Sequence, residues 1–527
     1  MNDLEYNINR GIIMRTFLCL LILASLFAFS DSKFISQPEA FNECTIGVFS
    51  GSTTEDGRPI IWKNRDVTNG VQKYCYFPRR NDSHGTTFSF IGNVYSDDTN
   101  RVYMGLNEVG FAIINANSYN LNDSLGKGID DGLIMRLALE RCGSLHEFEG
   151  LLDETNAEGR KDTWNFGALD AEGNVAMYEC ANHSYTKFSA NDSLQEFPGV
   201  VIRATFSLSG GDNHDGEPRY KRAGFLIKKR LQEQRIDINF ILQTLARDLA
   251  NPLDDPYPLP YNGVQNGRPS GFILAEDITI NRTISRSCGV IRGVLPGEDP
   301  GLSTIYAMIG PPVLSIVYPL WVKAREIPAV LNSGSNVPMY SQILRRIPHL
   351  YPMAHDNRYL NSQYLMGKDS IGLYSFTLPL EREILFSIEQ NLAAWRLESP
   401  DPIAVAYVQN SLAESIFDAY EDIPVEFASE GFADLPANEI TIAIYPNPFN
   451  TTAFIDIHSG NFVSDLEIDI INILGQQVRH FGDFRTGEIR IIWDGRDDRG
   501  SNLTSGVYFI AVRSDNYSST RKIILLK

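Results

Sequence analysis

Asn42-Glu43-Cys44-Thr45-Ile46-Gly47-Val48-Phe49 decides how this chain is read. Polar and apolar residues alternate along it with the period of a strand. A second strand-like run, Pro59–Trp62, leads into Lys63-Asn64-Arg65-Asp66, and the turn pair Asp56-Gly57 lies between the two. A hairpin of this kind predicts that Asp66 returns beside Cys44. A cysteine that opens a strand behind a removable leader suits an enzyme whose nucleophile is its own first residue. Cutting the Glu43–Cys44 bond would create an α-amino group with a reference pKa of about 7.7–8.0. That amine can take the thiol proton near neutral pH, so the sulfur becomes a thiolate without a histidine.

Upstream, Arg15 precedes the apolar run Phe17–Phe29, and Ser30-Asp31-Ser32-Lys33 follows it. Positive charge, apolar stretch and small polar exit form a secretory signal peptide over residues 1–30, with Met14 as an alternative start. Residues 31–43 are then a leader, and the mature chain meets an oxidising compartment. There Cys75, Cys142, Cys180 and Cys288 could form up to two disulfides, with three pairings open. The 527 residues carry 65 acidic and 46 basic side chains, a formal charge of −19. Such a surface repels phosphate backbones and anionic headgroups, which excludes nucleic acid as a partner. The eight histidines show no HExxH or other ligand spacing, so neither a metal nor a cofactor is expected.

Downstream of the hairpin, strand-like runs cluster before helical ones: Thr86–Ile91, Val102–Met104, Phe111–Asn115, then helices over Asp131–Cys142 and Leu145–Leu152. Further strands at Phe166–Leu169, Val175–Tyr178 and Val200–Phe206 precede an amphipathic helix at Arg219–Leu231. Clustering rather than regular alternation predicts a layered α+β fold. Residues 424–443 mix Gly, Pro and acids without periodicity, and the linker is assigned to 431–443. Beyond it, short strands at Ala453–His458, Leu466–Ile473, Glu488–Trp493, Val507–Arg513 and Ser519–Leu526 alternate with turn signals. They predict a small β-sandwich over 444–527.

Several segments carry a resemblance. Cys44-Thr45, the Asp56-Gly57 turn and Asn64-Arg65-Asp66 resemble the start of the cysteine N-terminal-nucleophile (Ntn) hydrolases. That group includes penicillin V acylase, choloylglycine (bile-salt) hydrolase, the acyl-coenzyme A:6-aminopenicillanic acid acyltransferases and a dipeptidase branch. Gly105-Leu-Asn-Glu-Val-Gly-Phe-Ala112 resembles their glycine-asparagine-glutamate-x-glycine segment, and Glu217-Pro-Arg-Tyr-Lys-Arg222 their arginine-bearing turn. Thr283–Ser287 and Ser303–Pro312 resemble the acyltransferase-like branch. The resemblance implies a four-layer αββα domain over 44–430, so the expected fold class is α+β, an Ntn-type layered domain followed by the β-sandwich.

It also implies roles. Cys44 would be the nucleophile, Asp66 would hold the new α-ammonium, and Arg219 would supply fixed positive charge near the thiolate. Asn117 and a backbone N–H would donate to the oxyanion. The family's second oxyanion asparagine would fall near Ala204-Thr205, where none stands, so Asn165 is the alternative donor. Lys63 stands where the bile-salt and penicillin V enzymes have arginine. The implied function is a secreted amidohydrolase or acyltransferase that cleaves a linear amide, such as an N-acyl amino acid, through a thioester. A dipeptidase of the related branch and a non-enzymatic binding protein on a retired hydrolase fold are the alternatives. At the far end, Tyr445-Pro-Asn-Pro-Phe-Asn450, Asn472–Gln476, Trp493-Asp-Gly495 and Ser505–Phe509 resemble a type IX secretion C-terminal sorting domain. That resemblance implies the secretion machinery as a partner, and an extracellular or outer-membrane surface location.

Overall fold

Strand β1 (Asn42–Phe49) runs antiparallel to β2 (Ile60–Val67), in register from Asn42 opposite Val67 to Phe49 opposite Ile60. The connection is longer than a tight hairpin turn. Residues 50–59 fold on themselves: the Thr54 hydroxyl donates to the Arg58 carbonyl at 2.8 Å, and the Arg58 N–H donates to Asp56 Oδ1 at 3.1 Å. Gly57 takes a φ of +76°, which glycine adopts without steric cost. The computed structural model describes residues 42–68, 70–82, 85–121, 127–192, 197–250, 272–274, 278–352, 359–367, 371–427, 440–445, 449–450, 452–459, 466–484, 488–514 and 517–526. The expected signal peptide, leader residues 31–41 and linker residues 431–439 lie outside the described residues.

The chain continues through β3 (Gln72–Phe77), β4 (Phe90–Tyr95), β5 (Met104–Asn107) and β6 (Ala112–Asn117) to helices α1 (Asp131–Arg141) and α2 (Leu145–Glu158). Then come β7 (Trp164–Leu169), β8 (Val175–Cys180), β9 (Tyr185–Ser189), β10 (Val200–Arg203) and α3 (Glu217–Glu233). After a π-helical turn at Phe240–Leu245 follow β11 (Ser285–Arg292), β12 (Thr304–Ile309), β13 (Tyr318–Leu320) and two long helices, α4 (Leu373–Leu397) and α5 (Pro402–Asp422). One sheet has the order β10-β1-β2-β11-β12-β13, the other β9-β8-β7-β6-β5-β4-β3, and neighbouring strands in both are antiparallel.

The sheets meet face to face, closely enough to demand glycine at two points. A Cβ on Gly167 would lie 2.8 Å from Val48 of the opposite sheet, and one on Gly289 would lie 2.3 Å from the Met104 sulfur. On the outer face of the seven-stranded sheet, Ile134, Leu139, Phe148 and Leu152 of α1 and α2 pack with Ile113, Phe166 and Tyr178 in one apolar cluster. The starts of both helices are written in their caps: Asp130 accepts from the Leu133 N–H, and Ser144 and Glu147 form a capping box. Beyond the six-stranded sheet, the Tyr306 hydroxyl donates to Glu389 of α4 at 2.9 Å. Trp321 meets Trp395 edge-on at 5.0 Å, and its backbone N–H donates to Gln409 of α5 at 2.9 Å. The order is helix, sheet, sheet, helix, the four-layer arrangement expected.

Two readings differ from the sequence. Cys75, Cys142, Cys180 and Cys288 are free thiols, dispersed over β3, the end of α1, β8 and β11 rather than placed in pairs. Residues 440–443, read as linker, open a strand, β14 (Ile440–Tyr445), that pairs with β15 (Ala453–Ser459). The remaining strands of this module are β16 (Leu466–Asn472), β17 (Gln477–Phe484), β18 (Glu488–Trp493), β19 (Gly506–Ser514) and β20 (Tyr517–Leu525). They form sheets β14-β15-β18 and β17-β16-β19-β20, whose shared core includes Ile455, Ile470, Trp493 and Ile510. Here Glu467, Asp469 and His480 bring ligand-type atoms within 4.8 Å of one another. Asp469 is already ion-paired with Arg513 at 3.0 Å, so its charge has a partner.

Candidate active site

Register places the candidate nucleophile. Cys44 stands opposite Arg65 and Glu43 opposite Asp66, so the acid read from the hairpin lies one cross-strand step from the cysteine. Successive side chains of a strand point to opposite faces. Cys44 and Lys63 share one face, and Glu43 and Asp66 share the other. Cys44 is buried, and burial pushes its thiol up. The Lys63 cation and a hydrogen bond from the Asp66 backbone N–H oppose that push, while the Asp66 charge adds to it.

Lys63 is the partner that motif reading undervalued. Its ammonium is buried, donates to the Tyr103 carbonyl at 2.8 Å, contacts Asn115 Oδ1, and hydrogen-bonds the Cys44 thiol. Asn115 in turn donates to Asp131 at 2.5 Å. Burial lowers Lys63 to about 8, against the supporting charge of Cys44. A buried ammonium beside a thiol is the arrangement that favours a thiolate. The neighbouring Arg65 stacks between Tyr95 and Tyr103, at 4.4 and 3.9 Å from the ring centres, and contacts Gln72. It braces the strand from the inner side.

Asp66 is wholly buried, and burial raises its carboxyl to about 6 against the pull of Arg282 and Arg219. Its Oδ1 accepts from Ser285 at 2.6 Å, and its Oδ2 lies 3.8 Å from Arg282 without a hydrogen-bond partner. Arg219 enters from the first turn of α3, a position where the helix dipole disfavours a cation. Burial and the neighbouring Arg282 also work against its charge, while Asp66, Glu43 (3.4 Å away) and Asp215 favour it. Arg219 also donates to Thr205 at 3.1 Å. Gly216 makes room for the guanidinium: its φ is +78°, and a Cβ there would sit 2.7 Å from Arg219 Nη2. Arg222, in the same motif, instead forms a two-bond pair with Asp248 at 2.8 and 2.9 Å and anchors the helix.

Asn117 ends β6 and hydrogen-bonds Tyr119, a half-exposed ring that senses the charges of Glu43, Asp215 and Cys44. That places Asn117 and Tyr119 at the rim of the site. Asn165 sits in a separate buried knot, donating to the Phe206 carbonyl at 3.1 Å and accepting from Ser207 at 2.6 Å. The structure therefore sets Asp66 beside Cys44 through its backbone N–H, gathers Asp66 and Arg219 around Glu43 on the other strand face rather than against the sulfur, places Asn117 with Tyr119 at the rim, and commits Asn165 to Phe206 and Ser207. Arg282 lay outside every segment read from the sequence, and Ser285 and Thr205 lay in segments noted there without a role, because no local spacing links any of them to Asp66 or Arg219. Asn107, from the glycine-asparagine-glutamate segment, is structural. It donates to the Leu139 and Cys142 carbonyls at the end of α1 and accepts from the Val109 and Phe111 N–H groups.

Comparisons with known proteins bear on both modules. Residues 52–203 match the family model of acyl-coenzyme A:6-aminopenicillanic acid acyl-transferase, and residues 443–526 match that of the secretion system C-terminal sorting domain. The first span contains Asp66, Asn117 and Asn165; Cys44 and Arg219 lie outside it. No curated protein matches significantly. Among solved structures, a variant of the conjugated bile acid hydrolase of Clostridium perfringens is 15% identical, covering 53% of this chain and 92% of that one, with a TM-score of 0.32. Penicillin V acylase of Agrobacterium tumefaciens is 13% identical, covering 53% and 86%, at 0.31. Latent PorU of Porphyromonas gingivalis is 20% identical over 19% of this chain and 10% of its own, at 0.15. The sorting domain directs the chain through the type IX system to the cell surface or extracellular space. The chain thus joins a module similar to the acyltransferase-like Ntn hydrolases to a C-terminal secretion sorting domain.

Proposed function

We propose that the protein is a secreted amidohydrolase or acyltransferase whose nucleophile is Cys44, exposed as an N-terminal residue by cleavage of the Glu43–Cys44 bond. The observation that carries this reading is the placement of Cys44 at the head of β1, buried against Lys63 and the Asp66 N–H. In the uncut chain burial holds the thiol up. Attack of the Cys44 sulfur on the Glu43 carbonyl breaks the C–N bond and leaves a thioester. The α-amine of Cys44, which takes up the thiol's proton as the C–N bond breaks, is freed in that step, and water then splits the thioester into the leader's carboxylic acid and the free Cys44 thiol.

In the mature chain that amine acts as base, and Lys63 supports the thiolate from the other side. The oxygen of Asp66 that has no hydrogen-bond partner is the natural acceptor for the new ammonium, one cross-strand step away. Attack on a substrate amide builds an oxyanion, for which Asn117 is the rim donor; Arg219 adds fixed positive charge. The amine product leaves with a proton, and water or a second amine resolves the thioester.

Intact-mass measurement of secreted protein tests the reading. A chain beginning at Cys44 is expected, with Cys44→Ala remaining uncut and inactive toward a panel of N-acyl amino acids, penicillins, bile-salt conjugates and dipeptides. An active chain that retains its leader would overturn it, and hydrolysis confined to dipeptides would move the assignment to the peptidase alternative.

A further inference from the structure

Glu43 is the acyl half of the bond that the proposed function cuts, and its side chain is held by two buried cations. Its carboxylate lies 3.4 Å from Arg219 Nη1 and in direct contact with Arg282 Nη1. The two arginine side chains are 1% and 3% exposed. They come from distant parts of the chain, α3 and the segment before β11, and converge on the residue that maturation would remove. Asp66 lies 3.8 Å from Arg282, and Asp215 acts on Arg219 while its Oδ2 accepts from Thr205 at 2.9 Å. Departure of Glu43 takes one anion from this cluster, and the new α-ammonium adds a cation. The position Glu43 vacates is one where a carboxylate meets two buried guanidiniums, which suits an incoming anion.

We infer, resting on the nucleophile reading above, that Arg219 and Arg282 form a carboxylate subsite for the acyl half of the substrate. The leader occupies that subsite as a built-in acyl donor. The spacing between the reacting carbonyl and the carboxylate in a glutamyl residue is that of a glutaryl group, so the substrate class is amides of short dicarboxylic acids and acidic acyl donors. The Cys44 sulfur bonds to the acyl carbonyl carbon and the C–N bond breaks, with a proton passing to the departing amine. Water then splits the thioester into the dicarboxylic acid and the free thiol. Planar guanidiniums suit this task because they match a carboxylate in geometry as well as in charge.

The test uses mature full-length chain and three p-nitroanilides: glutaryl, its neutral carboxamide isostere, and pentanoyl. Glutaryl is expected to exceed both neutral compounds at least tenfold in kcat/KM. That preference should collapse toward unity in Arg282→Met and partly return in Arg282→Lys. Independently of turnover, glutarate should slow alkylation of Cys44 by iodoacetamide, read by peptide mass, whereas neutral glutaramide should not. Neutral anilides cleaved as well as glutaryl, or glutarate giving no protection, overturns the subsite even if Arg282→Met fails to fold. Cys44→Ala being inactive in that same experiment would leave the nucleophile reading standing. Equal hydrolysis by Cys44→Ala and the unmodified chain would sink the nucleophile reading itself.

Discussion

Replacing Lys63 by methionine removes the cation that most strongly opposes the burial of Cys44. The ammonium is itself buried, with the Tyr103 carbonyl 2.8 Å away and Asn115 in contact, so little solvent screens its action on the sulfur. At about 4 Å and an effective dielectric near 20, a unit charge pair is worth about 4 kcal/mol. Opposite charges at such range shift a pKa by about 1–3 units once the surroundings relax. Lys63→Met should therefore raise the Cys44 pKa by that amount, lower the thiolate population at pH 7 by about 10- to 1000-fold, and lower kcat/KM in proportion. Lys63→Arg keeps the charge and should stay within about tenfold. The assay is the rate of iodoacetamide alkylation at Cys44 in mature protein across pH 5–10, resolved by peptide mass, together with the pH profile of kcat/KM. Methionine also leaves Asn115 Oδ1 without its donor, a loss of about 1–3 kcal/mol in stability that a denaturation curve measures separately. An unchanged alkylation profile in folded Lys63→Met would refute the reasoning, because the nearest buried cation would then have no hold on the nucleophile.

In a Cys44→Ala chain, which keeps its leader, Asp66 retains its proton to about pH 6, above its ordinary 3.8. The folded state binds that proton more tightly than the unfolded chain does. The cost of ionising it is absent below about 3.8, grows between the two values, and is complete above 6, on the order of 3 kcal/mol. Adding Asp66→Asn should remove this component, measured as the change with pH in the difference between the two chains' urea midpoints. Glu381→Ala should cost about 3–5 kcal/mol by stranding buried Arg247, which it now holds with two bonds of 2.6 and 2.7 Å. Guanidinium titration checks this, and an unchanged midpoint would mean that the pair does not tie the π-helical turn to α4. Asn107→Ala should cost about 3 kcal/mol because it frees three buried backbone groups and one part-buried one at once; loss of activity with wild-type stability would instead argue for a role in chemistry.

The opening hairpin was legible because Asn42–Phe49 alternates and Asp56-Gly57 marks the turn region. Helices α1 and α2 were equally legible, since their caps, Asp130 and Ser144 with Glu147, lie within three residues of the groups they satisfy. The strands of the C-terminal module were read nearly to their ends, except β14, whose first residues were taken as linker, and β17, whose Gln477–Phe484 alternates polar and apolar residues weakly. Helices α4 and α5 went unread. Pro379 lies inside α4, and much of the apolar surface of both helices faces a sheet assembled from distant strands.

What the sequence by itself determined is local: a cysteine at the head of a strand, an acid across the hairpin, an arginine opening a helix, and a sorting module at the far end. These rest on contacts between near neighbours, where periodicity, caps and turn residues act directly. Only the tertiary structure decided which charges meet the cysteine and its leader. Lys63 reaches Asn115, 52 positions away, and Glu43 meets Arg219 and Arg282, 176 and 239 positions along the chain. Such pairings follow from how two sheets and their outer helices stack, because burial forces charges to find partners wherever packing has carried them.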